Sequence, residues 1–159
     1  MEIRLDADRI TEEVWCGATL DTNDIPVLAA LGIRRVINLE IRELYDFKAV
    51  ARANIELFNI PLLDIDHALP DDLIARAVFL IDEAAQRGDQ VYVHCTAGWQ
   101  RSPAIVACYL IHKGVSAEHA LALVKEKRPA ARFYQSHIAS AFEYETRLRS
   151  KRPIERVAE

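Results

Sequence analysis

A chain of 159 residues is long enough to bury one substantial core, and one domain over residues 1–159 is the simplest expectation. Its formal net charge of −4 gives no overall attraction to nucleic acid or to an anionic membrane, so neither is expected as a partner, and a monomer is expected. Cys16, Cys95 and Cys108 are too few and too scattered for a disulfide framework or a zinc site. With no apolar run of about 18 residues and no leader-like stretch in Met1 to Asp6, they point to a reducing, cytoplasmic setting.

In chain order, residues 14–17 read as a short strand ending at a glycine turn. Thr22, Asn23 and Asp24 offer capping side chains to a helix over 25–31, which Gly32 stops. Residues 33–39 are a β-rich run, 45–53 are weakly helical, and 55–60 form another strand closed by Pro61. Pro70, Asp71 and Asp72 open the clearest amphipathic helix, with Leu73, Ala77, Leu80 and Ala84 at helical spacing before Gly88. A strand over 90–94 then runs straight into Cys95. Residues 103–112 are apolar nearly all round, which predicts a centrally buried helix, and helices over 116–127 and 136–149 follow. Strands alternating with helices predict an α/β sheet covered on both faces. Charge is uneven: 63–72 is acidic, while 125–132 and the tail 147–152 are basic, the tail reading as solvated surface.

The chemically informative stretch is His94-Cys95-Thr96-Ala97-Gly98-Trp99-Gln100-Arg101-Ser102, on a strand-to-helix turn. A phosphate dianion needs several converging donors, and a short loop at a helix N-terminus supplies backbone N–H groups backed by the helix dipole. Gly98 permits unusual backbone angles and close approach. Arg101 can fold back to clamp two oxygens with its planar fork. Thr96, Ala97, Gly98, Trp99, Gln100 and Arg101 thus form the candidate phosphate-binding set. The same cradle favours a thiolate at Cys95, the candidate nucleophile, and Ser102 can hydrogen-bond the sulfur as it leaves. His94 reads as a buried residue ordering the loop rather than a base. His67, His112, His119 and His137 do not cluster, so no metal ligand is expected.

His-Cys-x5-Arg-Ser at 94–102 resembles the signature of the protein tyrosine phosphatase superfamily, and Ala97-Gly98 in a short domain resembles its dual-specificity branch. Trp15-Cys16-Gly17, Leu31-Gly32-Ile33 and residues 36–39 are similar to that branch's N-terminal strands. Tyr109-Leu110-Ile111, residues 124–129 and the terminal helix are similar to its C-terminal half. The resemblance implies the cysteine-dependent phosphatase fold, with a central, mostly parallel sheet of about five strands flanked by helices. It implies hydrolysis of phosphate monoesters through a phosphocysteine, without metal or organic cofactor. It also implies an aspartic acid donor on a loop after a strand that ends in proline. Asp64, 31 residues before Cys95, is the first choice and Asp66 the alternative. Asp71 and Asp72 belong to the next helix's N-terminus.

The implied substrate is a phosphorylated protein, at tyrosine and also serine or threonine, or another phosphomonoester. Family members acting on inositol phospholipids often carry basic residues in this loop, and Thr96 to Gln100 are all neutral. Cys-Thr-Ala-Gly before a large apolar residue is similar to the branch's glucan phosphatases, but Gln100 stands where those usually have glycine. Trp99 either stacks on a substrate ring at the rim or packs on a neighbouring loop. Arg132 and Phe133 either shape the entrance or pack on the surface. Two other classes are a phosphate-binding module without catalysis and a rhodanese-type sulfur transferase, which also uses a loop cysteine.

Overall fold

In a computed structural model that describes residues 5–151, the β-rich runs become a five-stranded sheet in the order β1-β2-β5-β3-β4. Its strands are β1 (Ala7–Arg9), β2 (Val14–Gly17), β3 (Ile33–Asn38), β4 (Glu56–Asn59) and β5 (Gln90–His94). Strands β2, β5, β3 and β4 run parallel, and β1 pairs antiparallel with β2. The helices are α1 (Ile25–Ala30), α2 (Phe47–Arg52), α3 (Asp71–Gln86), α4 (Arg101–His112), α5 (Ala117–Lys127) and α6 (Gln135–Lys151). This is the expected α/β class with a mostly parallel sheet. The sequence readings for Met1 to Arg4 and for Arg152 lie outside the described residues.

Both faces of the sheet are buried, as parallel sheets require. Val91 and Val93 of β5 join Cys16 and Ile37 against α3, α4 and α6, whereas Tyr92 and Val36 turn to the other side, against α1 and α2. That is the period-two alternation of a strand serving two cores. In α3 the inward stripe is Ile74, Ala77, Val78, Leu80, Ile81 and Ala84, with Leu73 partly buried against the same core. In α4 every residue from Arg101 to Ile111 is buried, which is why its sequence is apolar nearly all round.

Two expectations are corrected and one strand is added. Helix α4 begins at Arg101 rather than at residue 103, because a proline in the first turn gives up an N–H that has no intrahelical acceptor anyway. Thr22 to Asp24 form a 3-10 turn instead of capping α1, and Asp24 closes that turn by accepting from the Asp21 amide at 2.8 Å. Strand β1 was not foreseen, since three residues with a charged pair, Asp8 and Arg9, show no apolar alternation.

The parallel strands place four loops on one edge of the sheet: residues 18–21 after β2, 39–46 after β3, 60–70 after β4 and 95–100 after β5. The carboxyl edge of an open α/β sheet is where ligands bind. Among the described residues, no helix is long and apolar enough to cross a membrane.

Candidate active site

The loop after β5 turns its carbonyls outward, to donors that surround it. Cys95 O faces His94 Nδ1 at 3.1 Å, with Thr19 Oγ1 3.0 Å away. Thr96 O accepts from the Thr19 amide at 3.0 Å, Trp99 O from the Arg132 amide at 2.7 Å, and Gln100 O from the Ala104 amide at 3.1 Å. Arg128 supplies the two between, donating to Ala97 O at 3.2 Å and to Gly98 O at 2.7 Å. A trans peptide points its N–H opposite to its C=O. The amides of residues 96–101 are therefore aimed at the inside of the loop, at the N-terminus of α4, where they can receive an anion. Gly98 makes this geometry accessible: its φ is +70°, and a Cβ there would overlap Arg128 and Gly17.

Arg101, the first residue of α4, folds back over the loop and is 4% exposed. Its Nη1 donates to Leu62 O at 3.0 Å and its Nη2 to Thr96 Oγ1 at 3.0 Å. Its Nε is buried without a protein partner. Thr96 passes the interaction on, donating to Glu40 Oε1 at 2.6 Å. Glu40 is buried, yet Thr19 and Arg42 also donate to it, at 2.6 and 3.1 Å. Burial pushes its pKa up, but the three donors prevail and hold it below the usual carboxylate range. Thr19 and Glu40 thus brace the start of the loop from β2 and β3.

Cys95 is buried at the floor of the cradle, with its Sγ 3.3 Å from Ser102 Oγ. His94 is fully buried, as expected of a residue that orders the loop. Its Nδ1 faces a carbonyl and so carries the proton, while Nε2 accepts from Tyr45 OH at 2.8 Å. Burial lowers its pKa to about 4, keeping the ring neutral.

The two candidate acids have different surroundings. Asp64 lies toward the cradle, its Oδ2 3.5 Å from Arg101 Nη2 and its Oδ1 accepting from Tyr134 OH at 3.2 Å. Asp66 instead accepts from the Ser136 amide at 3.1 Å and from the Ser136 hydroxyl, at the start of α6. Those two bonds lower its pKa. Asp71 and Asp72 occupy the first turn of α3, as expected, and Asp71 pairs with Arg147 at 3.0 Å. Trp99 is 40% exposed, with the Arg132 guanidinium 4.8 Å from its ring centroid, a cation–π contact that sets both at the loop's edge. Phe133 packs against the core. Among the described residues, no group of three His, Cys, Asp or Glu converges as a metal site would.

Residues 14–147 match the family described as dual specificity phosphatase, catalytic domain. The chain belongs to this family, in the protein tyrosine phosphatase superfamily. This dual specificity phosphatase domain is 33% identical over 140 residues to a phosphatidylglycerophosphate phosphatase, PTPMT1, of Arabidopsis thaliana, covering 86% of this chain and 42% of that one. It is 34% identical over 132 residues to the phosphatidylglycerophosphate phosphatase PTPMT2 of the same plant, covering 81% of this chain and 58% of that one. The domain thus spans about half the length of these relatives. Among solved structures it is similar to PTPMT1 in complex with PI(5)P, with a TM-score of 0.84, 25% identity, and coverage of 91% of this chain and 97% of that chain.

Chemically, a cysteine-based phosphatase needs a thiol below an oxyanion cradle, and the domain brings Cys95, Arg101, Ser102 and Asp64 to one place. Sequence reasoning missed Thr19, Glu40, Tyr45 and Arg128. The available signal was positional: Thr19 and Glu40 stand, like Asp64, just past the carboxyl ends of parallel strands. Arg128 sat in a basic stretch with no local pattern to mark it.

Proposed function

We propose that the domain hydrolyses the phosphomonoester of a phospholipid headgroup through a phosphocysteine on Cys95. The observation that carries this reading is an oxyanion cradle set among exposed apolar side chains. Ile41, Leu63, Ile65 and Trp99 are all exposed and all sit on the loops of the carboxyl edge. A water-soluble phosphopeptide gains little from such a rim, whereas a bilayer surface covers it. The similarity to two phosphatidylglycerophosphate phosphatases supports the same substrate class. This reading replaces the expectation of no membrane partner, since a net charge of −4 averages over the chain and says nothing of one rim. The neutral loop suits a single monoester in the cradle, and Arg42, exposed beside Glu40, can meet a further anionic group.

In the first step the Cys95 thiolate attacks phosphorus, forming the S–P bond as the P–O ester bond breaks. The loop amides and Arg101, through Nε and Nη2, hold the nonbridging oxygens. Asp64, set between Arg101 and Tyr134, protonates the departing alkoxide. Water then attacks the phosphocysteine with the Asp64 carboxylate as base, and Ser102 stabilises the departing sulfur. The scheme uses neither metal nor organic cofactor.

The test compares phosphate release from phosphatidylglycerophosphate in mixed micelles with release from a phosphotyrosyl peptide. The lipid is expected to be preferred by at least about tenfold in kcat/KM, roughly 1.4 kcal/mol of barrier, with Cys95→Ser inactive on both. A tenfold preference for the peptide would assign the domain to phosphoproteins instead.

A further inference from the structure

Ser102 Oγ lies between two sulfurs. Cys16 Sγ, from β2, is 3.5 Å away, and Cys95 Sγ is 3.3 Å away. The same oxygen is 3.2 Å from the carbonyl of Gly17. A serine hydroxyl has one proton to give and two lone pairs to fill. The Gly17 carbonyl can only accept, so the proton of Ser102 has two destinations, Gly17 O and Cys95 Sγ. The Cys16 thiol is the neighbour placed to fill a lone pair.

We infer that Cys16 is a positioning residue for phosphocysteine hydrolysis, its thiol donating to Ser102 Oγ so that the serine acts as donor to the sulfur of Cys95. The inference rests on the phosphocysteine reading above. While Cys95 is a neutral thiol, its S–H can itself donate to Ser102. As the S–P bond breaks and the electron pair returns to Cys95, that sulfur becomes an acceptor only. The Ser102 proton then moves from Gly17 O to the thiolate, a charge-assisted bond stronger than one to a neutral carbonyl. With Cys16 S–H in place the serine oxygen stays satisfied through this change, and each bond of the chain polarises the next.

Cys16 is suited to the part because it is fixed and keeps its proton. It is fully buried and paired in register with Val93 of β5. Burial pushes its pKa up to about 12, far from thiolate at neutral pH. A valine there would fill a similar space and bring no donor.

The test is rapid-quench kinetics with p-nitrophenyl phosphate, following the nitrophenol burst and the phosphocysteine trapped in acid. Cys16→Ala and Cys16→Val are expected to slow phosphocysteine hydrolysis by roughly three- to tenfold, the worth of a modest hydrogen bond, with less effect on the burst. The trapped intermediate therefore rises. Cys16→Ser, which keeps a donor, is expected to recover part of the loss. Cys16→Ala combined with Ser102→Ala is expected to be no worse than Ser102→Ala alone. If Cys16→Val matches wild type, or the Cys16→Ala loss persists in full without Ser102, the role is packing and the inference is overturned. A wild-type enzyme that turns over with no trapped phosphocysteine would overturn the mechanism itself, which separates the two failures.

Discussion

Arg128 Nε donates to the carbonyl of Gly98 at 2.7 Å, so the C-terminal end of α5 holds the middle of the phosphate loop in place. The same guanidinium reaches Asp6 and Asp8, at 3.1 and 2.9 Å, tying the loop to β1 and its approach. A buried arginine is thereby balanced by two carboxylates and two carbonyls, a set that a point-charge ammonium cannot match.

Replacing Arg128 with methionine keeps apolar bulk but leaves the Ala97 and Gly98 carbonyls without their donors. The loop amides then lose their fixed direction, and kcat/KM for p-nitrophenyl phosphate is expected to fall by about 100-fold, as for a displacement of order 1 Å at a reacting centre. Arg128→Lys should recover little of this. Gly98→Ala should be at least as damaging, because its φ of +70° and its contact with Arg128 both oppose a Cβ. Steady-state kinetics beside far-ultraviolet circular dichroism checks all three; full activity in a folded Gly98→Ala would refute this account of the loop.

What the sequence revealed and hid follows from locality. Cys95, Arg101 and Ser102 were legible because a strand, a turn and a helix N-terminus are contiguous, and one stretch carries the whole cradle. Asp64 was legible through its spacing from a strand that ends in proline. Glu40, Thr19 and Cys16 belong to the site only because β5 is inserted between β2 and β3, a strand order that no local pattern encodes. Asp66 illustrates the same limit: its function at the start of α6 depends on a residue 70 positions away.

Asp64 and Asp66 can be separated by one pair of variants. Asp64→Asn is expected to lower kcat by about 10²-fold or more, as loss of a general acid does, with a larger loss for alkyl than for nitrophenyl phosphate because the alkoxide is the poorer leaving group. Asp66→Asn should leave both kcat and the leaving-group dependence unchanged, because Asp66 accepts from Ser136 rather than facing the cradle and the amide oxygen can still do so. Turnover of the alkyl and nitrophenyl phosphates by the two variants distinguishes them. If Asp66→Asn shows the alkyl-selective loss, the acid assignment is wrong.

Glu40→Gln probes the brace beneath Arg101. The amide retains one acceptor oxygen where the carboxylate receives Thr19, Thr96 and Arg42 through two. Thr96 is then free to rotate, and Arg101 loses the fixed orientation of its hydroxyl partner. Inhibition by inorganic phosphate or vanadate should weaken by roughly three- to tenfold, the worth of one such hydrogen bond. Unfolding should also show a loss of about 1–3 kcal/mol for a disturbed charge-assisted bond. Unchanged vanadate affinity would separate Glu40 from the cradle.

His94 gives the fold a defined acid sensitivity. Burial lowers its pKa from 6.5 to about 4, so between those values the unfolded chain binds a proton that the folded chain does not. Stability therefore rises with pH across that window, is complete above about pH 6.5, and falls as the pH drops toward 4. The total is on the order of 3 kcal/mol, from the size of the shift at 1.36 kcal/mol per unit. Buried His137 shifts in the same direction, while Glu40, Glu56, Asp66 and Asp82, all lowered, weaken the fold at more acid pH. The contribution of His94 is thus read from a difference. His94→Gln can still donate to the Cys95 carbonyl or accept from Tyr45, but it does not titrate. Its unfolding free energy should lie below that of wild type at pH 7, and the gap should narrow steadily as the pH falls through the window. Parallel stability curves for the two proteins would show that His94 does not titrate with folding.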